Sequence, residues 1–254
     1  MSLPFLSVII PARNEESRLP NTLGQVFTFL EKQPYLSEVL IVENASTDRT
    51  LEVTQRFADT YPNLHILQEP RPGKGGAIRR GILAAAGEYR FVADADLSMP
   101  VEQINRFLPP ACSCDIAIAS RETPEAVRYG EPYYRHFTGR VYNLLIRMLV
   151  LPGLQDTQCG FKCFRGLVAE NIFQYQTLNG WAFDVEILLI ARRRGYSIQE
   201  IGIPYYYNAN SKISVLRDSG RMFIDLLTIR RNARRGVYDE TGRKPTRKNP
   251  DAPI

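Results

Sequence analysis

The sequence predicts an α/β fold, a mostly parallel sheet flanked by helices. Through the first hundred residues, β-branched segments alternate with amphipathic ones at intervals of about 30 residues, the spacing of βαβ units. Polar residues gather beyond the predicted strands: Arg13-Asn14-Glu15, Glu43-Asn44, Lys74, and Asp94-Ala95-Asp96. Open parallel sheets bind ligands beyond the carboxyl ends of their strands, so clusters placed there predict a site. The chain has 254 residues, 44% hydrophobic and 23% charged, enough for one large globular domain.

The elements follow in order. Residues 5–10 read as a strand closed by Pro11, and residues 19–32 as a helix with Leu23, Val26, Phe27 and Leu30 on one face. Residues 38–42 form a second strand ending at Val42. Ser46, Thr47 or Asp48 can cap the helix that runs on to Tyr61. A third strand at 64–67 precedes Gly73-Lys74-Gly75-Gly76, which opens a helix and lacks the spacing of a Walker motif. Residues 89–93 are the fourth strand. Beyond Pro100 the pattern gives a strand at 115–121 that delivers Arg121, an irregular loop at 122–131, and a helix at 133–151. A polar turn at 156–162, a helix at 183–194, a strand at 198–207 broken by Pro204 and a basic helix at 221–235 complete the fold. Residues 237–254 have little apolar content and are expected to be a disordered basic tail.

The net charge of +5 gathers toward the C-terminal end, where Arg230, Arg231, Arg234 and Arg235 cluster. Nucleic acid is not expected, because stacking aromatics do not interleave with these cations. Cys112, Cys114, Cys159 and Cys163 lack zinc spacing and read as reduced thiols of a cytoplasmic protein. No run approaches the roughly 20 apolar residues of a spanning helix. The helices at 133–151 and 221–235 set arginines beside apolar faces, which predicts peripheral contact with an anionic membrane surface.

The chemistry is expected to centre on Asp94 and Asp96. Placed on one side of an extended segment, two carboxylates are costly unless a cation lies between them. Oxygen ligands suit Mg²⁺ or Mn²⁺, with a nucleotide diphosphate completing the coordination shell.

The order of motifs is more specific than any one of them. Ser7-Val-Ile-Ile-Pro-Ala-Arg-Asn-Glu15, Ser46-Thr-Asp-Arg-Thr50, Gly73-Lys-Gly-Gly-Ala77, Asp94-Ala-Asp96, Asp156-Thr-Gln-Cys-Gly-Phe161 and Trp181-Ala-Phe-Asp184 fall in sequence. Together they resemble the family 2 inverting glycosyltransferases of GT-A fold over residues 5–235. The closest likeness is to the dolichyl- or polyprenyl-phosphate hexosyltransferases, especially the dolichyl-phosphate glucosyltransferase branch. The resemblance implies one domain over 1–236, with a nucleotide-sugar half at 1–100 and an acceptor half at 101–236. It implies donor contacts from Pro11, Arg13, Glu15, Val42, Glu43, Asn44, Lys74 and Ala95, and metal–diphosphate binding by Asp94 and Asp96. Arg121 and Lys212 match phosphate-binding positions, and Asp156 and Gln158 fall in the catalytic stretch. Glu43-Asn44 replaces the usual Asp-Asp, which leaves the donor base open. Ser98 stands where many mannosyl relatives carry Gln, which favours UDP-glucose over GDP-mannose, and Tyr206 stands where some carry Arg, which implies fewer or differently arranged phosphate contacts at that end. A polyprenyl phosphate is the expected acceptor. Its phosphate arrives largely ionised, so cations are needed more than a base, and Arg121, Arg135, Lys162 and Lys212 are the candidates. Toward a hydroxyl acceptor, Asp156 or Asp184 would serve as base. The oligomeric state is left open.

Overall fold

A computed structural model describes residues 3–207 and 215–239. One seven-stranded sheet has the order β3-β2-β1-β4-β7-β5-β8. Its first half is built from β1 (Leu6–Ala12), α1 (Leu19–Leu30), β2 (Ser37–Glu43), α2 (Thr50–Ala58), β3 (Leu64–Gln68), α3 (Lys74–Ala84) and β4 (Tyr89–Val92). These four strands run parallel. Both sheet faces are buried. Val8 and Ile10 of β1 join one core cluster, with Leu23, Val26 and Phe27 of α1. Ile9 points the other way, to Ala77, Ile78 and Ile82 of α3. That two-sided burial explains why the first strand reads as a continuous apolar run.

Pro11 does not close the first strand, as expected, but lies inside it and pairs with Val42. The pairing of β1 with β4 ends at Ile9–Val92, so no neighbour on that side calls for the N–H that proline lacks.

The second half begins with a 3-10 helix, Val101–Phe107, and β5 (Ile116–Ser120). The stretch expected to be an irregular loop contains β6 (Val127–Tyr129), which pairs in parallel with β9 (Pro204–Tyr206). Between them come α4 (Tyr133–Leu149), β7 (Lys162–Arg165), α5 (Gly166–Phe173), α6 (Phe183–Arg193) and β8 (Ile198–Gly202). Strand β7 runs antiparallel between β4 and β5 and registers Lys162 against Val92. The polar turn before β7 therefore lies beside the end of β4.

The last helix, α7 (Val215–Arg234), is followed by Tyr238, a fully buried side chain. Packed structure thus reaches Tyr238, past the expected boundary at 236. Lys212 lies outside the described residues, and of Arg135 only the helical backbone is described.

Candidate active site

Strand β4 stops at Val92, and Ala95-Asp96 is a turn. Asp94 and Asp96 therefore do not alternate along an extended segment as expected. The turn is built by an Asp96 carboxylate that accepts the Ser98 N–H at 3.1 Å, by Leu97 in the left-handed region at φ 42°, and by the Ala95 carbonyl, which accepts the Thr22 hydroxyl at 2.6 Å. Short side-chain caps of this sort hold a tight turn where a strand ends.

Asp94 meets Lys74, the first residue of α3, with Nζ 2.5 Å from Oδ1. On the other side Gly160 comes so near that a Cβ there would lie 2.0 Å from Asp94 Oδ2. Only glycine fits. Burial pushes the Asp94 carboxyl up, but Lys74, Lys162 and Arg121 outweigh it and hold its pKa below the ordinary value. Burial likewise opposes the Lys74 ammonium, and Asp94, Asp184 and Asp96 reverse the effect and raise its pKa. Lys74 thus pairs with Asp94, and Asp96 contributes only through its field.

Asp94 and Asp96 fit a hard divalent ion. Both offer carboxylate oxygens, and a cationic amine already sits on Asp94. Among the described residues no group of three or more ligating side chains forms a closed metal cage. Two carboxylates with phosphate and water oxygens is how Mg²⁺ is usually held.

A second ion pair stands nearby. Arg121, just past β5, donates Nε and Nη2 to the two oxygens of Asp156 at 2.7 and 3.0 Å, and its own N–H donates to Oδ2 at 3.0 Å. Asp156 is wholly buried. Its N–H is held in turn by the Glu200 carboxylate at 2.9 Å. Burial pushes the Asp156 carboxyl up, yet Arg121 and its hydrogen bonds prevail and lower the pKa. A carboxylate so saturated is a weak proton acceptor. Asp156 therefore orients Arg121, whose guanidinium also lies 5.3 Å from the Tyr205 ring centroid.

Lys162 does not face outward as a free cation. It is buried, pairs with Asp184 at 2.8 Å and donates to the Cys159 carbonyl. Asp184 is raised above its ordinary pKa, chiefly by burial, with Lys162 and Lys74 opposing and Asp94 adding. Gln158 touches Asp156 through its backbone N–H at 3.3 Å.

The first two loops are largely occupied with one another. Glu15 faces Arg18 at 3.3 Å and donates its N–H to the Thr50 hydroxyl at 2.8 Å. Arg13 is exposed, and Val42 is buried in the sheet. Glu43 accepts the Ser46 N–H at 2.6 Å. Asn44 donates to the carbonyls of Glu69 and Arg71 and accepts the Gly73 N–H at 2.8 Å. With its amide engaged at both ends, Asn44 anchors the Lys74 loop and is not free to read a base. Sequence reasoning missed Gly160, Glu200 and Tyr205, because each acts by contact with a residue far off in the chain.

Residues 7–173 match Glycosyl transferase family 2. The chain belongs to that family. A dolichyl-phosphate beta-glucosyltransferase from Homo sapiens is 34% identical over 242 residues, 89% of this chain and 74% of that protein. One from Saccharomyces cerevisiae is 32% identical over 256 residues, 92% and 76% of the two chains. Among solved structures, glucosyl-3-phosphoglycerate synthase from Mycobacterium tuberculosis, in complex with Mn²⁺, uridine diphosphate and phosphoglyceric acid, superposes with a TM-score of 0.67. The match has 15% identity over 92% of this chain and 79% of that one. The shared architecture is the GT-A fold of these glycosyltransferases.

Proposed function

We propose that this family 2 enzyme transfers glucose from UDP-glucose to a polyprenyl phosphate of the dolichyl type, with inversion at the sugar carbon. The observation that carries this reading is the likeness to dolichyl-phosphate beta-glucosyltransferases along about nine-tenths of the chain, 89% for the human relative. The charge layout of the site supports it. An Mg²⁺ or Mn²⁺ ion held by Asp94 and Asp96 would offset the charge that develops on the leaving diphosphate.

The residues of this chain bind and orient. Lys74 exchanges Asp94 for a diphosphate oxygen when the donor enters. Arg121 keeps Nη1 without a described partner while Nε and Nη2 grip Asp156, so one guanidinium edge serves a phosphate oxygen. Lys162 adds positive charge from beneath. The acceptor phosphate has a second pKa of about 6 and is its own nucleophile at neutral pH. Its oxygen attacks the sugar carbon opposite the leaving group, and the bond to UDP breaks with its electron pair on the diphosphate. No side chain has to remove a proton, which suits a site whose Asp156 is locked in an ion pair.

The acceptor reading also accounts for the surface. Helix α4 exposes Tyr134, Phe137, Val141, Leu144 and Met148 at alternating spacings of three and four, one continuous stripe. Helix α7 exposes Phe223, Ile224 and Leu227 and then Arg230, Arg231 and Arg234, with Arg235 just beyond its end. No helix among the described residues is long and apolar enough to cross a membrane. The two faces suit contact with the cytoplasmic surface of an anionic membrane.

The test is nucleoside diphosphate release from UDP-glucose and from GDP-mannose, with Mg²⁺ or Mn²⁺, with and without polyprenyl phosphate in detergent. UDP release that depends on lipid and metal is expected. GDP release would move the donor to mannose, and turnover indifferent to lipid would sink the acceptor.

A further inference from the structure

We propose that Glu186 and Tyr238 are positioning residues that hold Lys74 at the donor site through the loop at residues 176–181. The inference rests on the donor role given to Lys74 above.

Glu186 lies in the first turn of α6 and is wholly buried. A buried carboxylate is costly unless donors surround it. Here the donors are the Thr177 N–H at 3.1 and 3.0 Å to the two oxygens, the Leu178 N–H at 2.9 Å, the Tyr238 hydroxyl at 2.8 Å and the Thr177 hydroxyl. No lysine or arginine pairs with it among the described residues. Glu186 therefore clamps the backbone of a loop.

That loop grips the residues beside Lys74. The Asn179 carbonyl accepts the N–H groups of Gly75 at 2.9 Å and Gly76 at 3.3 Å. The Gln176 amide donates to the Gly75 carbonyl at 2.9 Å and to the Leu178 carbonyl at 2.7 Å. The fit leaves no room for side chains. A Cβ on Gly73 would lie 2.4 Å from the Asn179 carbonyl oxygen, and one on Gly75 would lie 2.6 Å from Phe183 Cβ. Trp181, at the far end of the loop, has its ring centroid 5.4 Å from Lys74 Nζ.

The clamp is closed from the C-terminal side. Tyr238 reaches Glu186 after α7 has ended, and Asn232 of α7 donates to the Thr177 hydroxyl at 3.2 Å. Arg194 fixes the Tyr238 carbonyl at 3.0 Å. An unbroken series of contacts thus joins the end of α7 to the lysine on Asp94.

Tyr238→Phe keeps the ring and removes one hydrogen bond to a charged group. The expected result is a rise in KM for UDP-glucose of about tenfold, with kcat held within about twofold, as for loss of binding shared by ground and transition states. Amide exchange at 75–76 and 177–178 should accelerate by about the same factor. Glu186→Gln should do more of both. Tyr142→Phe, which loses a 3.4 Å bond from α4 to the Met222 carbonyl, is the control and should leave exchange at 75–76 unchanged. A folded Tyr238→Phe protein with wild-type KM, or wild-type exchange at 75–76, would overturn the proposal. A wild-type protein that does not use UDP-glucose would refute the donor reading instead, and the exchange data would still decide whether the clamp holds Gly75.

Discussion

Lys74–Asp94 and Arg121–Asp156 are the same kind of pair at the same edge of one sheet, yet their surroundings suit them to opposite roles. Asp156 is fully buried, gripped side-on by a guanidinium and met by two backbone N–H groups. Asp94 keeps 28% of its side chain exposed and takes a single ammonium contact from a lysine that is 19% exposed. A point contact between partly hydrated groups can be exchanged, whereas a desolvated bidentate pair can only be broken at a large cost. Residue type does not distinguish a ligand-exchange site from a strut. Burial and the number of donors do.

The largest effect is expected at the exchangeable pair. Gly160→Ala puts a methyl group into Asp94, and transfer should fall by about 10² to 10³-fold, the scale of losing one electrostatic stabiliser. Thermal unfolding of the same variant should change far less than its activity. Equal loss of both would mean that Asp94 is as structural as Asp156.

Asp156→Asn tests the strut. Leaving Arg121 half-paired in a buried site should cost about 3 kcal/mol of stability, measured by denaturant unfolding. A stable Asp156→Asn protein that has lost only turnover would instead make Asp156 catalytic.

Acid sharpens the contrast further. Asp156 has a folded pKa below 3.8, so its stabilisation is complete above that value and is lost as pH falls through the lower folded one. Asp184 is shifted the opposite way, above 3.8, so its burial costs stability once it ionises, and protonation relieves that cost as pH falls. Wild type should therefore lose stability below about pH 4, and Asp156→Asn should show a flatter acid limb by circular dichroism.

Gln158→Ala should do least. Only its backbone touches Asp156, so stability should stay within about 0.5 kcal/mol of wild type. A large drop in turnover would show a substrate contact for its side chain.

The first half of the fold was legible because each unit is local. An apolar run, a polar loop and an amphipathic helix within about 30 residues carry their own periodicity. The second half was harder. Helix α5 was not anticipated, and β6 was hidden in a stretch expected to be irregular. Strand β6 has only three residues, and its partner β9 lies beyond three further helices. The end of the fold was misplaced because Val237 and Tyr238 are followed by a long stretch of little apolar content, although Tyr238 is buried and large enough to anchor them.

Read by itself, the chain determined the parallel βαβ half, the placing of Asp94 and Asp96 beyond its fourth strand and the motif order shared with family 2. Those features are encoded in short-range spacing. The partner of each charged group was decided only by tertiary structure. The antiparallel insertion of β7 brings Gly160 against Asp94, β5 delivers Arg121 to Asp156, and α6 sets Glu186 behind the Lys74 loop. Whether a carboxylate is strut, clamp or ligand depends on how far water is excluded and which donors replace it, and those are properties of packing.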